Sequence, residues 1–226
     1  MSNNTNSDVV SKEWNGFGFK LIEKTDYSAV LTHLEQNFLQ DEPLHQATGL
    51  TTDRLADISE KITDILELGH GSFYAYPMEE PTQIAAVMII WIHEKGKDLP
   101  PRELRSPLSV IIRNAIIELK EKYNIHEQRN VDTFPELFII STDKDFRGKG
   151  LATEMYKKAI LKLKANGYKI VSSTFTNPLS RKIGDKLGFK EVSRLYSNDS
   201  KNEDGSSALG EAANDHFVTE TVLDLE

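Results

Sequence analysis

Hydrophobic and polar residues follow two different periods along the chain, one typical of β-strands and the other of helices. Seven segments have either the alternation or the short continuous apolar run of a strand. These predicted strands are residues 18–22, 72–76, 83–92, 137–141, 168–175, 189–196 and 216–225. The third is apolar almost throughout, which indicates a central strand with both faces covered.

Between the strands, apolar residues recur every three or four positions, as on one face of an amphipathic helix. These predicted helices are residues 26–39, 53–68, 108–123, 151–165 and 178–187. The first is expected to end before Pro43, because the residue before a proline is disfavoured in helical conformation. The predicted order is one strand, two helices, three strands interrupted by the helix 108–123, then helix, strand, helix and two strands, without an internal repeat. We therefore expect one mixed α/β domain over residues 14–226.

Three polar segments interrupt this pattern. Residues 1–13 are rich in serine and asparagine and are predicted to form a disordered leader. Residues 94–131 begin with a charged, proline-rich loop and contain one predicted helix, so they are predicted to be a helical insertion or a cap over the site. Residues 198–214 are rich in small and acidic residues and are predicted to be a flexible loop inside the domain.

Composition narrows the range of functions. With 27 basic and 35 acidic residues the formal net charge is −8, which argues against nucleic-acid binding. There are no cysteines, which excludes thiolate metal sites and a cysteine acyl-enzyme. The histidines have no metal-ligand spacing, so no metal is expected. We find neither a signal peptide nor an apolar run long enough for a membrane helix, and we expect a cytoplasmic protein without membrane contact.

The strongest local signal follows the predicted strand 137–141. The loop Arg147-Gly148-Lys149-Gly150-Leu151-Ala152 leads from that strand into the next helix. Glycines let backbone N–H groups turn toward an anion, and the N-terminus of the helix adds positive charge. The loop is not a Walker A motif, and it lacks the third glycine of a dinucleotide fingerprint. It indicates a phosphate site of another kind, with an ordinary turn carrying solvated basic residues as the alternative.

The segment Ser141–Ala152 resembles the signature loop of the GNAT acetyltransferase superfamily, whose pattern is Gln/Arg-x-x-Gly-x-Gly/Ala. Downstream, Asn177 and Lys186-Leu187-Gly188-Phe189 resemble the last helix of that family. The resemblance implies an α/β (α+β) domain with a twisted, mixed but mostly antiparallel sheet of about seven strands flanked by helices.

The same resemblance implies acetyl-CoA as cosubstrate, with its pyrophosphate at the loop and its pantetheine arm along residues 138–141. The implied cofactor-binding residues are Ile139, Ile140, Ser141, Arg147, Gly148, Lys149, Gly150, Leu151, Ala152 and Asn177.

A second resemblance concerns the acyl acceptor. Between the first two predicted helices, Asp41-Glu42-Pro43-Leu44 is similar to a segment of the invertebrate arylalkylamine N-acetyltransferases, which acetylate dopamine and serotonin. The resemblance gives Glu42 the role of general base. An alkylamine is protonated at neutral pH and must lose a proton before it attacks a thioester, and a partly buried carboxylate accepts that proton well. The alternative for Glu42 is a solvated loop carboxylate.

The arylalkylamine enzymes also carry two serines, four residues apart, around the start of the last short helix. Here Ser180 occupies the second position, and Thr176 keeps a hydroxyl at the first. By resemblance Ser180 protonates or orients the departing thiolate, and Thr176 is the weaker candidate. The alternative for Ser180 is a structural hydroxyl at the N-terminus of the helix 178–187.

Together these features predict acetyl transfer from acetyl-CoA to the primary amine of a small arylalkylamine of the dopamine, serotonin, tryptamine and octopamine class. The absence of cysteine favours direct transfer in a ternary complex. The expected partners are a small amine and acetyl-CoA, with the protein a monomer or a homodimer. Two alternatives stay open: an acetyltransferase for polyamines or other small amines, and a non-catalytic GNAT module that binds acyl-CoA.

Overall fold

The structure is a computed structural model that describes residues 10, 12–43, 49–196, 199 and 217–225. Most of the predicted leader 1–13 and of the predicted flexible loop 198–214 lies outside the described residues. Leu44 of the Asp-Glu-Pro-Leu segment lies outside them as well. The leader, the flexible loop and the bounds of the domain therefore stay predictions.

The strands and the longer helices follow one another in the order that the sequence pattern predicts. The strands are β1 (Phe17–Leu21), β2 (Phe73–Pro77), β3 (Ala86–Glu94), β4 (Thr133–Thr142), β5 (Ile170–Phe175), β6 (Lys190–Tyr196) and β7 (Phe217–Asp224). The helices are α1 (Tyr27–His33, continued by Leu34–Phe38 and Leu39–Asp41), α2 (Thr52–Glu67), α3 (Pro107–Glu121), α4 (Ile125–Gln128), α5 (Leu151–Ala165) and α6 (Pro178–Leu187). Short 3₁₀ turns at Lys24–Asp26 and Lys144–Phe146 precede α1 and the loop before α5.

All seven strands form one sheet, in the order β1-β2-β3-β4-β5-β7-β6. Every neighbouring pair is antiparallel except β4 and β5, which run parallel. A parallel pair needs a crossover connection, and α5 supplies it. The prediction of a single domain with a mixed, mostly antiparallel sheet of about seven strands is thus confirmed.

Helices cover both faces of the sheet, because successive strand residues point to opposite sides. Met88 and Leu137 belong to the cluster under α5, whereas Val87 and Ile89 belong to the cluster under α1 and α2. Helix α3, which lies within the predicted insertion, packs against β6 and β7 around the buried side chain of Leu195. These packed helices enclose the space beside β4 and β5.

Strand β4 begins at Thr133, four residues before the predicted start of the strand, so the predicted bound was wrong. Pro135 and Glu136 disfavour a strand by intrinsic preference, which is why the sequence pattern missed them. In the folded chain they stand opposite Ile92 and Trp91 of β3. Pairing with a neighbouring strand therefore overrides local preference here and carries Glu136 into the sheet.

Helix α1 departs from the single regular helix that the sequence predicts for residues 26–39. It contains a π-helical segment at Leu34–Phe38, in which Asn37 Nδ2 donates to the carbonyl of His33 at 3.1 Å. Such wide turns are frequent at functional sites. The helix ends at Asp41, and Glu42 is extended with φ −71° and ψ 124°, as expected before a proline.

Two irregularities of β4 open the sheet at its centre. A bulge occurs where Ile89 pairs with Ile139 and Ile90 pairs with Leu137, so that Phe138 lacks an opposite residue in β3. On its other edge, β4 pairs with β5 through Glu136 and Ser172 alone, among the described residues. Beyond this one level the two parallel strands diverge.

Candidate active site

A cavity of about 1060 Å³ lies where β4 and β5 diverge, and residues of α1, α2 and α3 and of the N-terminal ends of α5 and α6 contribute to its walls. Twelve of the thirteen predicted site residues line it: Glu42, Ile139, Ile140, Ser141, Arg147, Gly148, Gly150, Leu151, Ala152, Thr176, Asn177 and Ser180. Lys149 is exposed instead, with its ammonium 5.1 Å from the centroid of the Phe146 ring. The fold therefore gathers residues from both halves of the chain around one cavity.

The glycine loop has the geometry of an anion site. Gly148 and Gly150 have φ of +75° and +84°, a left-handed conformation that glycine adopts without the steric cost of a Cβ. Gly150 precedes the first turn of α5, and no side chain caps that turn. The first N–H groups of the helix can therefore meet a negatively charged ligand. Arg147 adds a positive charge at this end of the cavity, held by a 2.9 Å hydrogen bond from its Nε to the carbonyl of Thr142.

The predicted pantetheine strand borders the cavity through Ile139, Ile140 and Ser141. Ser141 Oγ lies 3.1 Å from Nε2 of His33, which is buried in α1. Burial lowers the pKa of His33 to about 4, so the ring is neutral at pH 7. The contact joins β4 to α1, the helix that ends directly before Glu42. The sequence pattern alone did not single out His33.

Glu42 is only 6% exposed, and it lines the cavity. The Glu42 carboxylate interacts electrostatically with the buried guanidinium of Arg54, at the start of α2. Burial lowers the pKa of Arg54, and the negative charge of Glu42 opposes that decrease. Arg54 Nη1 also donates to the carbonyl of Gly49 at 2.9 Å, which anchors it. A carboxylate in this position differs from the solvated loop acid that was the alternative.

Helix α6 brings the two predicted hydroxyls to the cavity. Asn177 caps the helix, since its Oδ1 accepts from the backbone N–H of Leu179 at 2.8 Å. Ser180 Oγ donates to the backbone carbonyl of Asn177 at 2.9 Å, while Ser180 and Thr176 both line the cavity. The local hydrogen bond matches the structural role foreseen for Ser180, and its place at the cavity is compatible with a catalytic one.

A cluster of charged side chains around buried Glu136 also lines the cavity, and the sequence pattern missed it. Glu136 Oε2 accepts hydrogen bonds from Lys120 Nζ and His93 Nε2, both at 2.7 Å, and Oε1 accepts from Thr174 Oγ1 at 3.0 Å. Burial alone raises the pKa of a carboxyl group, but Lys120 and His93 hold the pKa of Glu136 well below its usual range. Glu136 is therefore ionised at neutral pH.

The same cluster contains a second carboxyl group, that of Glu220, whose pKa is raised. Thr174 Oγ1 lies 2.5 Å from Glu220 Oε2 as well as 3.0 Å from Glu136. A hydroxyl group has one proton and can donate only once, so one of these bonds needs a proton from a carboxyl group. Burial and the charge of Glu136 raise the pKa of Glu220 to about 7, so Glu220 is the carboxyl group that carries this proton below pH 7. The available sequence signals were Glu136, directly before the predicted strand 137–141, and Glu220, an acidic residue within the predicted strand 216–225.

Aromatic rings and a lysine line another part of the cavity. The rings of Trp91 and Phe138 meet edge to face, with centroids 5.9 Å apart. The ammonium of Lys61 on α2 lies 5.4 Å from the Trp91 centroid and 4.9 Å from the Phe138 centroid. This combination of flat apolar walls and a polar group is typical of a pocket for a small organic molecule.

Two further observations concern the described part of the chain. Its His, Cys, Asp and Glu side chains form no group of three or more that could hold a metal ion. Its helices include none with the length and apolar character needed to cross a membrane.

The fold resembles that of solved N-acetyltransferases, whereas no protein-family model matches the sequence. Arylalkylamine N-acetyltransferase 2 of Aedes aegypti is 24% identical, with a TM-score of 0.83 over 94% of this chain and 100% of that one. A putative arylalkylamine N-acetyltransferase 7 of the same mosquito is 20% identical, with a TM-score of 0.80 over 93% and 88%. A polyamine N-acetyltransferase of Drosophila melanogaster, which forms N-acetylagmatine, is 15% identical, with a TM-score of 0.76 over 92% and 99%. This chain therefore has the fold of the GNAT N-acetyltransferases, in a form similar to that of the insect arylalkylamine N-acetyltransferases.

Proposed function

We propose that this protein transfers an acetyl group from acetyl-CoA to the primary amine of a small arylalkylamine. One observation carries the proposal: a single cavity contains both the glycine loop at the N-terminus of α5 and the buried carboxylate of Glu42. The first feature suits a phosphate-bearing acyl donor, and the second suits an amine that must lose a proton.

The residues present fit acetyl-CoA. Gly148 and Gly150, in left-handed conformation, and the uncapped first turn of α5 suit the pyrophosphate, with Arg147 beside them. The edge of β4 at residues 139–141, which β5 leaves unpaired, suits the extended pantetheine arm. When bound, acetyl-CoA supplies an acetyl thioester.

Glu42 acts as general base in the proposed reaction. Its carboxylate accepts a proton from the acceptor ammonium, either directly or through water, and leaves a neutral amine able to attack the thioester carbonyl. The guanidinium of Arg54 interacts electrostatically with this carboxylate, so a positive charge lies near the proposed base. Direct transfer in a ternary complex agrees with a chain that contains no cysteine.

The hydroxyl of Ser180 serves the departing thiolate, and Thr176 is the weaker candidate for the same role. Ser180 Oγ donates to the carbonyl of Asn177 at 2.9 Å and can exchange this local bond for one to sulfur by rotation of its side chain. Asn177 itself caps α6 and holds both hydroxyl-bearing residues at the cavity.

The Trp91 and Phe138 rings favour an arylalkylamine, because an aromatic acceptor packs edge to face or offset against such rings. A polyamine is the second candidate, supported by the similarity to a solved enzyme that forms N-acetylagmatine. The two candidates place different groups beside the aromatic walls: a ring in one case and a cation in the other.

An assay of thiol release over a panel of amines tests the proposal. We expect turnover of dopamine, serotonin, tryptamine and octopamine, with little turnover of agmatine, putrescine or spermidine. Turnover restricted to the polyamines overturns the acceptor class and leaves the acetyl transfer. Tight binding of acetyl-CoA without turnover of any amine overturns the enzymatic proposal in favour of a binding module.

A further inference from the structure

Lys61 is a cation of the cavity for which the proposed chemistry has no role. It lies on α2 and reaches the aromatic wall, with its ammonium 4.9 Å from the Phe138 ring centroid and 5.4 Å from the Trp91 centroid. The side chain is accessible to small molecules through the cavity that it lines. A positive charge here meets any ligand that reaches these rings.

The acidic residues that could neutralise Lys61 are bound elsewhere. On a helix, the natural partners of Lys61 are the residues four before and three after it, namely Asp57 and Asp64. Asp64 binds Arg102 through two hydrogen bonds of 2.6 Å, and Asp57 accepts the backbone N–H of Arg105 at 3.0 Å. No carboxylate of the described chain lies within salt-bridge distance of Lys61.

A second lysine, Lys120, lies beside the same aromatic wall but adds no net charge to it. Lys120 Nζ lies 6.0 Å from the Trp91 ring, but its charge is balanced by Glu136 at 2.7 Å. Loss of bulk water and the charge of Lys120 lower the pKa of Lys61 to about 8, which still leaves it mostly charged at pH 7. The three carboxylates of Asp57, Glu60 and Asp64 share the two guanidinium groups of Arg102 and Arg105. Lys61 therefore adds no net excess of charge, but its ammonium stands at the aromatic wall without a salt bridge to another described residue.

Lys61 lies about two helical turns along α2 from the end of the cavity that contains the proposed base Glu42. Arg54 interacts with the charge of Glu42. Lys61 follows Arg54 by seven residues on α2, so both side chains lie on the same face of the helix, and both line the cavity. At 1.5 Å per residue, two helical turns separate them by about 10 Å. An amine that meets Glu42 therefore presents its opposite end, and not its amine, to Lys61.

We propose that Lys61 selects the acceptor by the charge at the end opposite its amine, so that a carboxylate there is bound and a second cation is excluded. This inference rests on the proposed function, because it assumes that Glu42 receives the amine. A carboxylate beside Lys61 forms the direct ion pair that Lys61 lacks with the described residues, whereas the second ammonium group of a diamine is repelled by it in a space partly shielded from water.

Three matched phenethylamines test the inference: one unsubstituted, one with a para-carboxylate and one with a para-aminomethyl group. The measurements are kcat/KM with acetyl-CoA and the Kd of each amine in the presence of CoA. For the natural chain we expect the carboxylate to exceed the aminomethyl compound by about 100-fold in kcat/KM, with the unsubstituted amine between them. Lys61→Met reduces this ratio to below about threefold, and Lys61→Glu reverses the order. The exposed Lys157→Met on α5 is the matched control and keeps the full ratio.

The outcomes separate the inference from the function on which it rests. Equal turnover of all three amines, or a ratio that survives Lys61→Met, overturns the inference and leaves the acetyltransferase intact; Lys61 then merely packs against the two rings. If no amine is turned over, the proposed function fails. The Kd values then decide the inference alone, since a preference for the carboxylate that Lys61→Met abolishes supports it as a property of binding.

Discussion

Arg147 of the glycine loop binds Asp41, the residue immediately before the proposed base: Nη2 lies 2.5 Å from Asp41 Oδ2. Both side chains are about half exposed, and ion pairs in such positions contribute little stability. A phosphate group can replace the carboxylate as the partner of Arg147, because guanidinium binds both well. The contact links the proposed donor site to the segment that carries Glu42.

Substitutions at this pair are expected to act on the donor in opposite directions. Arg147→Gln weakens acetyl-CoA binding about tenfold, because a charged contact to phosphate is lost. Asp41→Asn strengthens it about two- to threefold, since the competing carboxylate is gone. Calorimetric titration with acetyl-CoA at low and moderate salt measures both effects. Weaker binding in Asp41→Asn contradicts competition at Arg147.

Glu42→Gln is expected to lower kcat/KM by about 100-fold, the usual size of a general-base contribution. The loss is largest at low pH, where less of the acceptor is already free of its proton. The affinity for acetyl-CoA is retained. Glu35→Gln, at an exposed position of α1, is the matched control. A pH–rate profile unchanged by Glu42→Gln removes this residue from the mechanism.

The two roles of Ser180 predict different results for Ser180→Ala. If the hydroxyl serves the departing thiolate, as proposed, kcat falls about tenfold while the thermal midpoint of unfolding changes little. Asn177 continues to cap α6 in the variant, so the helix keeps its start. Thr176→Val is expected to have a smaller effect on kcat. A lower midpoint with unchanged kcat assigns Ser180 to the helix terminus alone.

The buried carboxyl of Glu220 predicts an unusual dependence of stability on pH. Its pKa is about 7 in the folded protein and about 4.5 in the unfolded chain. Between these values the folded state holds a proton that the unfolded state has released, so this group lowers stability as the pH rises from about 4.5 to 7. Glutamine resembles the protonated carboxyl. Glu220→Gln is therefore expected to add about 2 to 3 kcal/mol to the free energy of unfolding at pH 8 and little at pH 4.5.

Denaturant unfolding of the natural chain and of Glu220→Gln at several pH values measures this difference. Comparison of the two proteins cancels the other titrating groups, including buried His33, whose lowered pKa acts in the opposite sense over a similar range. The exposed Glu79→Gln is the control, for which no pH-dependent difference is expected. A gap for Glu220→Gln that stays constant with pH shows that Glu220 is ionised in the folded state.

The sequence predicts the fold well, because the elements have clear periods and clear ends. Pro43 ends α1 after Asp41, and Gly188 ends α6 in left-handed conformation. The glycine loop is also recognisable, since its residues are consecutive and their function depends on local backbone geometry. Twelve predicted residues line one cavity, although their assigned roles stay predictions.

The charge cluster around Glu136 could not be predicted in the same way. Its members come from β3, α3, β4, β5 and β7, and their contacts arise only when the sheet has formed. Glu136 follows Pro135, and the local sequence predicts that it is the last residue of a loop. In the sequence, Lys61 is one of several charges on a predicted helix and has acidic neighbours at helical spacing. Only the folded structure shows that Arg102 and Arg105 bind the nearby acids Asp64 and Asp57.

The interdependence of the Glu136 cluster also restricts how this chain can change over evolutionary time. Replacement of Lys120 alone strands a negative charge in the sheet, and replacement of Glu136 alone strands a positive one. Replacement of His93 alone removes one of the two hydrogen bonds to Glu136 Oε2. Each single step is thus more damaging than the exchange of the whole set for apolar residues. Descendants of this protein are expected to inherit the cluster intact or to lose it altogether, so that its members vary as one unit.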